Sequence, residues 1–333
     1  MNRDLFNKVI ASPYFNAIPF WEVWFGKYEM QRNKYGAPDK IENTIRMAKD
    51  LGMSAVNIGG GIVDTNSYFG EIHSTEEGKE RYSGGTLCSL DQLEQRPLPN
   101  WEQTLEDLCS NQKKVSEAGI AGIIYLPWCF HRIATGMGLE NFCYKLIDDF
   151  NFLKTCMHWI EERNRKAIRA VISEVKPDAV LFDGDCAYKT GLMIKPQLFK
   201  DLVYDETVET VSLLKELNIP YTFHTDGKLD DLIPFLIEWG FSAVHGCEKQ
   251  ANDLSDLIDK FGDSICLIGN MDVVFLASAS VPEIRRETEK MLIEGSRKGR
   301  FIAACNTSPQ DYIPDENYLA FCDVIKNFGS RNR

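Results

Sequence analysis

The residues best suited to chemistry in this chain lie in His224-Thr225-Asp226-Gly227, directly after the apolar run Tyr221-Thr222-Phe223. In an extended segment side chains repeat every two residues, so His224 and Asp226 share a side. An imidazole and a carboxylate placed that way can bind one Zn²⁺ ion, or act as a general base and its orienting partner. Further along, Glu248 closes His245-Gly246-Cys247-Glu248, and Cys305 follows Phe301-Ile302-Ala303-Ala304. Together these residues give a metal set of His224, Asp226, Glu248 and Cys305, in which a soft thiolate favours Zn²⁺ over Mg²⁺. His245 and Cys247 alternate with Glu248 and are read as structural, while His131 and His158 carry no partner pattern.

Other polar residues occupy similar places at the ends of apolar runs. Asp183 and Asp185 flank Gly184, Asn270 and Asp272 flank Met271, Glu22 and Asn57 lie near the ends of earlier runs, and Trp128 follows another. Any one of these is ordinary turn chemistry. As a set they make Asp183 and Asp185 acid/base partners of His224 and Asp226, with Glu22, Asn57, Trp128, Asn270 and Asp272 as substrate contacts.

Such residues meet only if a common scaffold brings the ends of the runs together. From Ala179 onward the chain alternates short apolar strands with single helices: Ala179–Phe182, Tyr221–Phe223, Ala243–Val244, Ile265–Ile268 and Phe301–Ala304. Strands that are apolar on both faces and separated by helices are buried parallel strands. Three further runs precede them, Pro19–Trp24, Ala55–Ile58 and Gly122–Leu126, bringing the number to eight. This predicts an α/β fold, a (β/α)₈ TIM barrel forming one domain over residues 1–333, with an N-terminal extension and an insertion after the second strand. Thr65 to Pro99 has no clean period and is expected to carry a short hairpin over the barrel mouth. No GxGxxG or Walker A loop supports a doubly wound nucleotide-binding sheet. Aromatic residues crowd the first 28 positions, among them Tyr14, Trp21, Trp24 and Phe25, as a plug for the barrel floor or a dimer surface.

Composition narrows the partners. A net charge of −12 and the lack of a basic cluster argue against nucleic acid and anionic membranes. No apolar stretch approaches a membrane span and the first residues lack a signal-peptide core, so a cytoplasmic protein is expected. Ten cysteines without a CxxC pair read as free thiols in a reducing compartment, as suits an anaerobe.

Several stretches resemble the uroporphyrinogen decarboxylase superfamily, whose members include cobamide-dependent methyltransferases of anaerobes. They are Asp183-Gly-Asp-Cys-Ala-Tyr-Lys-Thr-Gly191, His224-Thr-Asp-Gly227, Gly240 to Glu248, Leu267-Ile-Gly-Asn-Met-Asp272 and Ile313-Pro-Asp-Glu-Asn317, with Gly85-Thr-Leu and Met137-Gly-Leu-Glu-Asn141 as further landmarks. The resemblance implies a (β/α)₈ barrel. The haem-pathway decarboxylases place an arginine-bearing segment after the first strand, whereas Trp21-Glu-Val-Trp-Phe-Gly-Lys-Tyr28 has no arginine. The methyltransferase branch binds Zn²⁺ through His-x-Cys and a distant Cys; His224 and Cys305 stand at matching positions, with Asp226 in place of the first Cys. The expected activity is therefore Zn-assisted methyl transfer between a small methylated substrate or thiol and a methylcobamide on a separate corrinoid protein. The alternatives are a decarboxylase using Asp and His as acid/base groups, or a barrel that binds a corrinoid or tetrapyrrole without turnover. The resemblance also implies a homodimer.

Overall fold

The computed structural model describes residues 2–328 apart from 15–16, 39, 61, 64–68 and 75–79. Its strands are β1 (Ala55–Gly59), β2 (Gly70–Ser74), β3 (Glu80–Gly85), β4 (Ala121–Pro127), β5 (Ala179–Asp183), β6 (Ala187–Tyr188), β7 (Gly191–Leu192), β8 (Tyr221–His224), β9 (Ala243–His245), β10 (Cys266–Met271) and β11 (Phe301–Cys305). Seven of them form one parallel sheet in the order β1-β4-β5-β8-β9-β10-β11. Helices fill the crossovers, among them Trp101–Glu117, Pro196–Glu216, Val281–Gly295 and, after β11, Asp315–Phe328. Pro282 sits in the first turn of Val281–Gly295, behind a Ser280/Glu283 capping box. Within the insertion, β2 and β3 pair as an antiparallel hairpin, as expected; residues 65–68 and 75–79 of that stretch lie outside the described residues.

The sheet is curled and partly open, in keeping with a TIM-barrel-like architecture. The eighth strand expected over Pro19–Trp24 forms only a single bridge, Phe20 to Ala303. Ala303 N–H donates to Pro19 O at 2.9 Å, Trp21 N–H to Ala303 O at 3.0 Å and Ser54 N–H to Phe20 O at 2.6 Å, and there the ladder stops. Side chains take the backbone groups that would continue it. Cys305 N–H donates to Glu22 Oε2 at 3.1 Å, and Cys305 O lies 3.1 Å from His245 Nε2.

Two apolar clusters hold the sheet in place. The outer one packs the helices against the strands. The inner one alternates small and large residues, with Ala55, Ala121, Ala179, Ala243 and Ala304 beside Ile123, Leu181, Ile268 and Ile302. Helix Asn2–Ala11 contributes Phe6, Val9 and Ile10 to this inner cluster, and Trp21 meets Phe6 edge-on with centroids 5.6 Å apart. Arg3 Nε and Asn7 Nδ2 fix the helix to Asp178 Oδ1 at 2.7 and 2.8 Å, just before β5 begins. The N-terminal extension therefore stoppers the end of the sheet where the strands start. All ten cysteines are free, and no described helix is long and apolar enough to cross a membrane.

Candidate metal centre

Parallel register aligns the last residues of three neighbouring strands. Asp183 on β5 is the Cα partner of His224 on β8, and His224 that of His245 on β9. Just beyond them, one ligand atom each from Asp185, His224 and Asp226 lies within 4.8 Å of the others. Asp226 N–H donates to Asp185 Oδ1 at 3.0 Å, and His224 Nε2 is 3.7 Å from the same oxygen. Asp226 Oδ1 is buried and has no hydrogen-bond partner. Trp24 covers His224 edge-on, with centroids 4.5 Å apart.

The environment disfavours the charges these groups would carry in water. Burial pushes the Asp226 carboxyl up to about 7, helped by Asp185, Glu248 and Asp183. Asp183 is also raised by burial, against the pull of the Arg132 guanidinium 2.7 Å away. Burial and the nearby His131 push His224 down to about 3, and burial holds His245 well below the usual imidazole range. A neutral imidazole between two crowded carboxylates is a receptor for a cation. The orphaned Asp226 Oδ1 and the nitrogen-plus-oxygen donor set fit a divalent ion such as Zn²⁺.

Other residues expected at the site take separate places. Glu248 accepts from Gly227 N–H through Oε2 at 2.8 Å and so holds the turn after Asp226. Cys305 is fully buried, and burial, helped by the neighbouring Glu22, drives its thiol well above the usual range. Neither residue belongs to the clustered ligand group. Glu22 is itself raised to about 7, by burial, while Cys305 N–H and Tyr318 Oη donate to it. Glu22 and Asn57 line a cavity of about 160 Å³ walled by Val23, Phe25, Met47 and Val56. Asn57 Nδ2 donates to Val23 O at 2.6 Å, leaving its buried Oδ1 without a partner. Asn270 and Asp272 share a smaller recess with Lys249 and Glu287. Asn270 Nδ2 donates to Cys247 O at 2.9 Å, and Asp272 caps helix Val273–Ser278. Trp128 is completely buried, its indole N–H on Thr207 Oγ1 at 3.1 Å among Phe130, Phe199 and Phe223.

Four neighbours of the group were not singled out by sequence reasoning. His245 closes β9 as His224 closes β8, and that shared strand-final position was the available signal. Trp24 was read only as one of the early aromatics. His131 and Arg132 lie in the first turn of helix Cys129–Met137, where no alternation marks them; His131 Nδ1 is 3.9 Å from Asp185 Oδ2.

In structure the chain is similar to a methyltransferase from Methanosarcina mazei, with a TM-score of 0.74 and 16% identity over 98% of each chain. It is also similar to a B12-independent methionine synthase from a Shewanella species, solved with selenomethionine, with a TM-score of 0.57 and 11% identity over 98% of this chain and 99% of that one. No curated protein sequence matches it. The family model described as uroporphyrinogen decarboxylase (URO-D) matches residues 85–328, well over half of the sequence and the part that carries Asp185, His224 and Asp226, so the chain belongs to that family.

Proposed function

We propose that this chain is a methyltransferase that moves a methyl group, with the help of a metal ion, between a small methylated substrate or thiol and a corrinoid carried by a partner protein. The carrying observation is the Asp185–His224–Asp226 group, where three acceptor atoms converge and a buried carboxylate oxygen has no partner. These three residues would hold the ion. Zn²⁺ bound there would supply Lewis acidity, making a thiol easier to deprotonate or an ether oxygen a better leaving group. Around it the chain's own residues keep the donors in place. Asp226 N–H orients Asp185, Glu248 fixes the turn through Gly227, Trp24 packs on His224, and Arg132 neutralises Asp183. Glu22 and Asn57 are the proposed substrate contacts, because both line one cavity, together with Gln31, Thr44 and the apolar Val23, Phe25, Met47 and Val56; its lining does not include Asp185, His224 or Asp226. The corrinoid partner is carried over from the resemblance of the Asp183–Asn317 motifs, and the fold shared with the M. mazei methyltransferase supports only the methyltransferase part of the proposal.

The test is metal analysis combined with methylcobalamin demethylation by a panel of thiols. About one Zn²⁺ per chain is expected, and His224→Ala should lose both the metal and the transfer. A wild-type protein that takes up no divalent ion, with transfer unaffected by His224→Ala, overturns the proposal.

One observation favours a second reading, a carboxy-lyase. A carboxyl raised to about 7, as at Asp226, is protonated in a large fraction of molecules at neutral pH and can deliver that proton to carbon after loss of CO₂. Metal-independent conversion of uroporphyrinogen to coproporphyrinogen, abolished in Asp226→Asn, would establish that reading instead.

A further inference from the structure

β8 and β9 both end in histidine, and register sets the two side by side. The Nδ1 atoms of His224 and His245 are 2.7 Å apart, with ring centroids at 4.9 Å. At that distance one nitrogen donates and the other accepts, since two lone pairs or two N–H groups would repel. The far side of His245 decides which. Its Nε2 lies 3.1 Å from Cys305 O, and a carbonyl oxygen only accepts, so Nε2 carries the proton. A neutral imidazole has a single N–H, and His245, 1% exposed, is in no position to hold a second proton's charge without water. Its Nδ1 is therefore the acceptor, and the Nδ1 of His224 is the donor.

That leaves His224 Nε2 as a bare lone pair. Its nearest carboxylate oxygen, Asp185 Oδ1, is 3.7 Å away, outside hydrogen-bond range, as befits two acceptors. The opposite tautomer would point an N–H into the group and block it to a cation. We infer that His245 is a positioning residue: by accepting the Nδ1 proton of His224, it commits His224 Nε2 as a donor atom facing Asp185 and Asp226. The anchor behind it is backbone, because Cys305 is held on its other side by Glu22, which Tyr318 Oη secures at 3.1 Å. The consequence for metal binding rests on the metal-assisted reading above, whereas the tautomer assignment stands without it.

The test is two-bond ¹H–¹⁵N correlation of the metal-free full chain labelled with ¹⁵N-histidine. Free imidazole prefers the proton on Nε2, so the informative result is an Nδ1–H pattern for His224 beside an Nε2–H pattern for His245. An Nε2–H His224 in the wild type overturns the inference. In His245→Phe, which fills the volume without an acceptor, His224 should lose its Nδ1–H pattern, and Zn²⁺ affinity should fall by about 10- to 100-fold. In His245→Gln, an amide oxygen can accept from His224 while the amide N–H serves Cys305 O, so the Nδ1–H pattern and most of the affinity should return. A Phe variant that keeps both properties also overturns the inference. Should the Phe variant fail to fold, the wild-type spectrum decides. A wild type with the expected tautomers that binds no Zn²⁺ sinks the metal-assisted reading and leaves His245 in its assigned role.

Discussion

The backbone N–H of Asp226 donates to Oδ1 of Asp185 at 3.0 Å, so one carboxylate of the group is fastened to the peptide that carries the other. The two acids belong to loops after different strands, β5 and β8, yet they cannot drift apart without breaking that bond. Their mutual repulsion is thus built in, and it adds to burial, the larger cause, in raising the Asp226 carboxyl.

A pH dependence of the metal-free protein follows. An acid raised from 3.8 to about 7 on folding contributes stability that is present in full below pH 3.8 and is lost as pH rises through 7. Three units correspond to about 4 kcal/mol at most, and partial solvent access brings this to roughly 2 kcal/mol. Asp226→Asn should match wild type near pH 4 and exceed it by about 2 kcal/mol at pH 8. Thermal melts of both proteins across that range, after chelation, check this; a constant difference at every pH would refute it.

Metal titration should separate the clustered donors from the buried thiol. Asp185→Asn, His224→Ala and Asp226→Asn should each weaken Zn²⁺ binding by about 100-fold or more, the upper end of what losing even a supporting residue costs. Cys305→Ser should leave binding unchanged, and the Co²⁺-substituted protein should lack a thiolate charge-transfer band. Such a band, lost in Cys305→Ser, would bring Cys305 into the ligand set.

Glu248 is distinguishable as a turn anchor or a ligand by comparing two substitutions. Glu248→Gln keeps an oxygen for Gly227 N–H, whereas Glu248→Ala removes it. Gly227 has φ +93°, and a Cβ there would come within 2.6 Å of Ala187 O, so the turn has no easy alternative conformation. Calorimetry should show about a 10-fold loss of Zn²⁺ affinity for Ala and little for Gln. Equal, large losses would make Glu248 a ligand.

Gly246 separates His245 from Cys247 at φ +118°, with Thr225 O only 1.9 Å from where a Cβ would stand. Gly246→Ala should cost about 3 kcal/mol or more in urea denaturation, through backbone strain and the displaced strand end. A cost under about 1 kcal/mol would show that β8 and β9 can part more easily than their packing indicates.

Much of the scaffold was legible because buried parallel strands announce themselves. Ala179–Phe182 and Phe301–Ala304 are apolar on both faces, and each was read to within a residue of its observed end. Pro19–Trp24 looked the same by composition but pairs by one bridge, because side chains of Glu22 and His245 occupy the backbone groups of Cys305. Periodicity carries no information about such competition. His224, Asp226 and Asp185 were legible as strand-end polar residues. The place of His245 was not, because counting alternation from Glu248 assumes an extended chain, and Gly246 breaks that assumption with its positive φ. His131 and Arg132 approach from a helix, where strand alternation does not apply.

The stopper formed by Phe6, Val9 and Ile10 sets the traffic of the molecule. With the inner cluster packed from helix Asn2–Ala11 up through the strands, the described residues plug the curled sheet at the end opposite Asp185, His224 and Asp226. A ligand of the Asp185–His224–Asp226 group would therefore have to reach it over the ends of β5, β8 and β9.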